Sequence, residues 1–158
     1  YVATGAWHHY LITGDTEFLE YMWPTVKRAI SFAINQQTKY GEINWAIDES
    51  GAVDRDALLT GCSSIYKSLE CALNIARTLD RDWDGWAFAR KRLGRTIRNR
   101  TGRFDRTWES KNRYSMNWFY PVLCGIYSGV PAQLRMSHRW DSFVEQGLGV
   151  DAWPTSPG

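Results

Sequence analysis

Apolar positions recur at helical spacing along nearly the whole chain. Ala3, Ala6, Trp7, Tyr10 and Leu11 mark a first helix, stopped by Thr13-Gly14. Asp15 is then placed to cap a second helix, with Glu17 in its first turn where a negative charge suits the helix dipole. That helix carries Phe18, Met22, Val26, Ala29, Ile30, Ala33 and Ile34, and Pro24 inside it is expected to start or kink a segment. Leu58, Leu59, Cys62, Ile65, Tyr66, Leu69, Ala72, Leu73 and Ala76 mark a third, and Trp83, Trp86, Ala89, Leu93 and Ile97 a fourth that ends near Gly102. A fifth is expected over residues 116–127 and a sixth over 131–145. No stretch sustains strand alternation, although 43–47 suits one short extended piece. The chain therefore reads as all-α.

Connection lengths organise these helices. Helices one and two, three and four, and five and six are joined by a few residues each, which makes antiparallel neighbours. Residues 39–55 and 101–115 are much longer links, and loops of that length in a compact helical domain are usually functional or disordered. The alternation of short and long puts both long loops at one end of the helices. The expectation is an array of three α-hairpins with one decorated face, 1–150 forming a single domain and 151–158 a tail.

Composition adjusts this picture in two places. Nine Trp, eight Tyr and six Phe among 158 residues suit either a dense helical core or a cleft that stacks on flat or ring-shaped ligands. The net charge of +2 implies no polyanionic partner. The basic residues from Arg90 to Arg106 interleave with Leu93 and Ile97, as on the solvated outer face of an amphipathic helix, with Asp80, Asp82 and Asp84 as upstream counter-charge. Nucleic acid is not an expected partner. Cys62, Cys71 and Cys124 have no metal-type spacing and read as buried free thiols in a reducing, cytoplasmic setting. His8 and His9 are adjacent, so they point apart on a helix and cannot jointly chelate a metal. No apolar run reaches the ~20 residues of a membrane span.

Three hairpins of this kind resemble half of a six-hairpin (α/α)6 toroid, the fold of glucoamylase-like and cellulase-like glycoside hydrolases. Thr13-Gly14-Asp15, Phe18-Leu19, Met22-Trp23-Pro24, Ala29, Phe32 and the turn at Gly41 are similar to their hairpin phrase. The segments Asp56-Ala57-Leu58-Leu59-Thr60-Gly61, Tyr114 to Leu123 and Arg139-Trp140-Asp141 resemble a bacterial family of longer proteins usually labelled prenyltransferases and assigned to the same toroid class. That family would carry Asp where this chain has Asn117. The label implies kinship with terpene cyclases, yet Gln37, Gly41 and Trp45 only echo their repeat. Asp54-Arg55-Asp56-Ala57 lacks the last acid of their catalytic motif.

The glycosidase resemblance implies two carboxyl groups, one protonating the leaving oxygen and one activating water or attacking carbon. Glu42, Asp54 and Asp56 are the catalytic candidates. Glu42 suits the acid because an apolar neighbour, Trp45, raises a carboxyl pKa. Asp54 or Asp56 is the partner, and either could instead cap the third helix. Asn44, Trp45, Arg113, Tyr114, Asn117, Trp118 and Tyr120 are the expected cleft wall. Trp118 and Tyr120 stand two apart on a helix, so at least one should leave the core. No cofactor or metal is called for. The expected ligand is a small molecule or oligosaccharide, and an open hairpin edge is available for self-association. The rival readings are a prenyltransferase or terpene-cyclase-like enzyme, and a non-catalytic helical scaffold or truncated relic that only binds.

Overall fold

The computed structural model describes residues 1–107 and 115–145. Its helices are α1 (Val2–Thr13), α2 (Thr16–Asn35), α3 (Leu59–Thr78), α4 (Trp86–Asn99), α5 (Tyr120–Leu123) and α6 (Gly129–Glu145), with 3-10 turns at Thr101–Arg103 and Ser115–Trp118. Among the described residues there is no strand, only two isolated bridges, Gln37 with Ile43 and Ile47 with Val53. The all-α expectation holds, and three hairpins are consistent with half of an (α/α)6 toroid. No described helix is long and apolar enough to cross a membrane.

The first hairpin closes as its local chemistry demands. Gly14 takes a left-handed φ of 67° that few other residues tolerate, and ends α1 by donating to Tyr10 O. Asp15 Oδ1 then accepts the Phe18 N–H at 2.9 Å, capping α2. Pro24 differs from expectation, because α2 runs unbroken through it. The carbonyl that loses its donor belongs to exposed Glu20, where water can replace the bond. The third hairpin also differs. The apolar spacing over 116–127 predicted one helix, but only a 3-10 turn and the single turn of α5 form. Pro121 lacks an N–H near the start, and Gly125 at φ 76° stops the helix.

α3 is the central element, packed against α1, α2, α4 and α5. Two apolar clusters flank it. One joins α1, α2 and the later part of α3 through Leu19, Val26, Ile30, Leu69, Leu73 and Ile75, with Trp86 beneath. The other gathers Ile43 and Ala57 from the first long loop, Leu59, Cys62 and Tyr66 of α3, Leu93 and Ile97 of α4, Phe104 from the second loop, and Cys124 and Ile126. This second cluster is the floor on which both long loops meet, at the end where α3 begins and α4 finishes. The connection lengths predicted that meeting.

Candidate active site

The first loop is pinned to α4 by backbone carbonyls rather than by apolar contacts alone. Gln37 Nε2 donates to Ala89 O at 3.0 Å and Thr96 Oγ1 to Tyr40 O at 2.7 Å, while Arg92 Nη2 donates to Thr38 O at 2.7 Å. Gly41 is required here. Its φ is 106°, and a Cβ would lie 2.4 Å from Thr96 Oγ1 and 3.2 Å from Arg92 O. The turn delivers the next residue, Glu42, into the floor with 1% of its surface exposed.

A buried carboxylate needs a counter-charge or it neutralises. Glu42 has one in Arg103, whose Nε donates to Oε1 at 2.9 Å and whose Nη2 donates to the same oxygen. The guanidinium also lies over the Tyr40 ring, 4.2 Å from its centroid. Burial alone would push the Glu42 carboxyl up. The Arg103 hydrogen bonds, with help from Glu42's own backbone and the Thr38 hydroxyl, hold it below the usual carboxylate range. The raised pKa expected from Trp45 is therefore corrected: the deciding neighbour is Arg103. The second oxygen, Oε2, is buried and makes no hydrogen bond among the described residues.

Asp56 is engaged on both oxygens. Oδ1 accepts from Ala57 N at 2.8 Å, Arg106 N at 3.1 Å and Arg106 Nε at 3.4 Å. Oδ2 accepts from Thr107 N and Thr107 Oγ1, each at 3.1 Å. This carboxylate ties the second loop to the first. Asp54 is exposed, and its Oδ1 accepts the Asp56 N–H at 2.9 Å in a local turn. Neither caps α3, whose N-cap residue is Leu58. The Leu59 N–H is instead met by Asp105 Oδ1 at 3.2 Å, from 46 residues further along the chain.

Asp105 was not among the sequence candidates. It is 8% exposed, sits at a left-handed φ of 48° uncommon for a residue with a side chain, and donates its N–H to Ala57 O at 2.9 Å. Burial is the largest influence on its carboxyl and raises the pKa. Asp56 adds to the rise, while the Leu59 N–H and the Asn117 side chain oppose it. Both Glu42 and Asp105 act on the Cys62 thiol, which burial chiefly drives up to about 12. Glu42, Asp56 and Asp105 are the buried carboxylates among the described residues, and all three gather at one end of α3. The visible sign in the sequence was Asp105 lying between Arg103 and Arg106 beside apolar Phe104, in a loop already singled out.

The aromatic wall is partly assembled. Trp45 is 48% exposed and is positioned by its N–H to Asp56 O at 3.1 Å. Asn44 is half-buried, its N–H donating to Gln36 O at 3.3 Å. Asn117 reaches Asp105 through its side chain and accepts Arg135 Nη2 on its carbonyl at 2.8 Å. Trp118 is half-buried, edge-on to Phe119 at 5.0 Å. Tyr120 turns the other way, its hydroxyl 2.8 Å from Tyr1 OH and 3.1 Å from Ser64 Oγ. Arg113 and Tyr114 lie outside the described residues. The basic run is not simply a solvated face either: Arg90 pairs with Glu70 and covers the Tyr66 ring, and Arg98 donates to Ile126 O at 3.2 Å.

Fold and site together describe an all-α hairpin array that holds buried carboxylates beside an exposed tryptophan at one end. No family model matches the chain. It is 48% identical over 150 residues to MMP endo-(1,4)-3-O-methyl-alpha-D-mannosidase of Mycolicibacterium hassiacum. The match covers 95% of this chain and 40% of the length of that curated relative. The relative's name agrees with the glycoside-hydrolase resemblance and lends no support to the prenyltransferase label.

Proposed function

We propose that this chain carries hydrolytic carboxylates of an endo-acting glycoside hydrolase that cleaves α-(1,4) bonds between 3-O-methylmannose units. The observation that carries the reading is Glu42: a buried carboxylate with one oxygen held by arginine and the other without a donor among the described residues. An ionised carboxylate in that state suits the activation of water or the stabilisation of positive charge at the anomeric carbon. Its low pKa favours this role over that of proton donor. Asp54 and Asp56 are better suited to holding the loops.

The 3-O-methyl group in the relative's name also fits the wall. A methyl ether replaces a hydroxyl donor with apolar surface, which an exposed indole accommodates better than a polar side chain does. Trp45 is the residue placed for that contact, with Trp118 nearer the second loop. The test is incubation of the protein with an α-(1,4)-linked 3-O-methylmannose oligosaccharide, read by mass spectrometry. Internal fragments should appear, and Glu42→Gln should slow their release at least ~100-fold. Equal cleavage by the Gln variant would remove Glu42 from the reaction.

A further inference from the structure

We infer that the finger over residues 45–56 is a methyl-reading face, on which Ile47 and Val53 extend the contact of Trp45 with a 3-O-methylated α-mannoside chain. The inference rests on the glycoside-hydrolase reading for the class of ligand and adds a specificity element to it.

The first long loop does more than deliver Glu42. Beyond Asn44 it doubles back as a short antiparallel finger in which Ile47 and Val53 face each other across a bridge. The bonds on either side run from Asp48 N–H to Ala52 O and from Asp54 N–H to Ala46 O, each at 3.0 Å. Ile47 and Val53 are thus a non-hydrogen-bonded pair, the kind whose side chains approach most closely. They make one apolar rung. Each is 38% exposed, and Trp45, two residues before Ile47, is 48% exposed.

The finger is fixed at both ends without help from that rung. At its tip, Asp48 Oδ1 accepts from Ser50 N at 2.9 Å, Ser50 Oγ at 2.6 Å and Ala52 N at 2.9 Å, and Gly51 takes a φ of 84°. At its foot, Trp45 N–H donates to Asp56 O and Asp54 Oδ1 accepts the Asp56 N–H. The Asp56 carboxylate in turn accepts the N–H groups of Arg106 and Thr107 from the second loop. A face held in this way loses little freedom when a ligand settles on it.

The size of the face selects its occupant. A stable protein interface covers roughly 800 Å² on each partner, far more than three side chains, none more than half exposed, provide. The face suits a ligand that carries small apolar projections among polar groups. Glu49 and Arg55 of the same finger are exposed and supply polar groups for hydroxyls. A methyl ether on a sugar is such a projection. Its hydroxyl donor is gone, and taking one methyl group out of water against aliphatic surface strengthens binding about fourfold.

The experiment is calorimetric titration with the α-(1,4)-linked 3-O-methylmannose oligosaccharide and with an unmethylated oligosaccharide of the same length and linkage. The unsubstituted protein should bind the methylated chain roughly 4- to 16-fold more tightly, for one or two methyl groups seated. Ile47→Thr and Val53→Thr keep a β-branched side chain and place a hydroxyl on the exposed rung. Each should reduce that preference about fourfold, through weaker binding of the methylated chain, with little change in Tm. An intact preference in both variants, whatever their Tm, would overturn the role of the rung, as would equal losses on both oligosaccharides. So would equal affinity of the unsubstituted protein for the two chains, and none of these results touches hydrolysis at Glu42. A methyl preference that the variants lose, in a protein that cleaves neither chain, would support the finger and sink the hydrolytic reading. A protein that neither binds nor cleaves the methylated chain would overturn both.

Discussion

Arg103 meets Glu42 with Nε and Nη2 on a single carboxylate oxygen, Oε1, and leaves Oε2 buried with no hydrogen bond among the described residues. A fork of two donors more often spans both oxygens of a carboxylate. The one-sided grip keeps the charge on Glu42 while sparing an oxygen for something else. Tyr40, from the same turn as Gly41, stacks under the guanidinium and fixes its direction.

Removing Arg103 should therefore cost more than a surface ion pair. Breaking a buried pair strands a charge at about 3–5 kcal/mol, and partial exposure of the arginine brings the expectation for Arg103→Ala to about 2–3 kcal/mol. Urea denaturation should show this loss at neutral pH. Adding Glu42→Gln should restore part of it, because the stranded charge is then gone. Additive losses in the double variant would contradict a direct pair.

Gly41→Ala should destabilise by about 2 kcal/mol or more, combining a left-handed backbone with a clash on Thr96. Thr96→Ser would not relieve it, because the close atom is Oγ1 itself. A thermal melt of Gly41→Ala should show a clearly lowered Tm. An unchanged Tm would contradict the close approach of the Gly41 turn to Thr96.

Much of this was legible in the chain. Gly14 and Asp15 announced the first hairpin, and alternating link lengths placed the long loops together. What escaped is what depends on long-range partners. The donor that sets the charge of Glu42 lies 61 residues away, and the group that meets the first N–H of α3 lies 46 residues away. No local rule connects Asp105 to Leu59 or Arg103 to Glu42. The helix expected over 116–127 differs for a local reason: Pro121 and Gly125 at φ 76° outweigh the apolar spacing there.

The two carboxyls should carry opposite pH signatures in stability. Glu42 has a folded pKa below its ordinary 4.5, so its contribution is present above that value and fades as pH falls through the folded pKa. Asp105 has a folded pKa above its ordinary 3.8, so its contribution is present below that value and fades as pH rises through the folded pKa. Asp105→Asn should thus gain stability relative to the unsubstituted protein as pH rises above 3.8, measured by urea denaturation. Glu42→Gln should lose stability relative to it as pH rises toward 4.5. A pH-independent difference for Asp105→Asn would contradict its burial as a shifted acid.

The thiols supply an independent check on the floor. Burial drives Cys62 up to about 12 and Cys124 to about 11, and raises Cys71 as well. At pH 8 the thiolate fraction is then negligible, and the thiols are covered by the core. Iodoacetamide should label none of the three in the native protein and all three in urea, as counted by intact-mass spectrometry. Rapid native labelling of Cys62 would show that the two loops do not close over α3.

Carboxyl carbon NMR across pH, with Glu42 and Asp105 assigned through their Gln and Asn variants, tests the central claim most directly. The account predicts that Glu42 titrates below its ordinary 4.5 and Asp105 above its ordinary 3.8, with Glu42 moving up in Arg103→Ala. Glu42 titrating at or above its ordinary value, or failing to move in Arg103→Ala, would contradict the ionised, arginine-held carboxylate on which the proposed function rests.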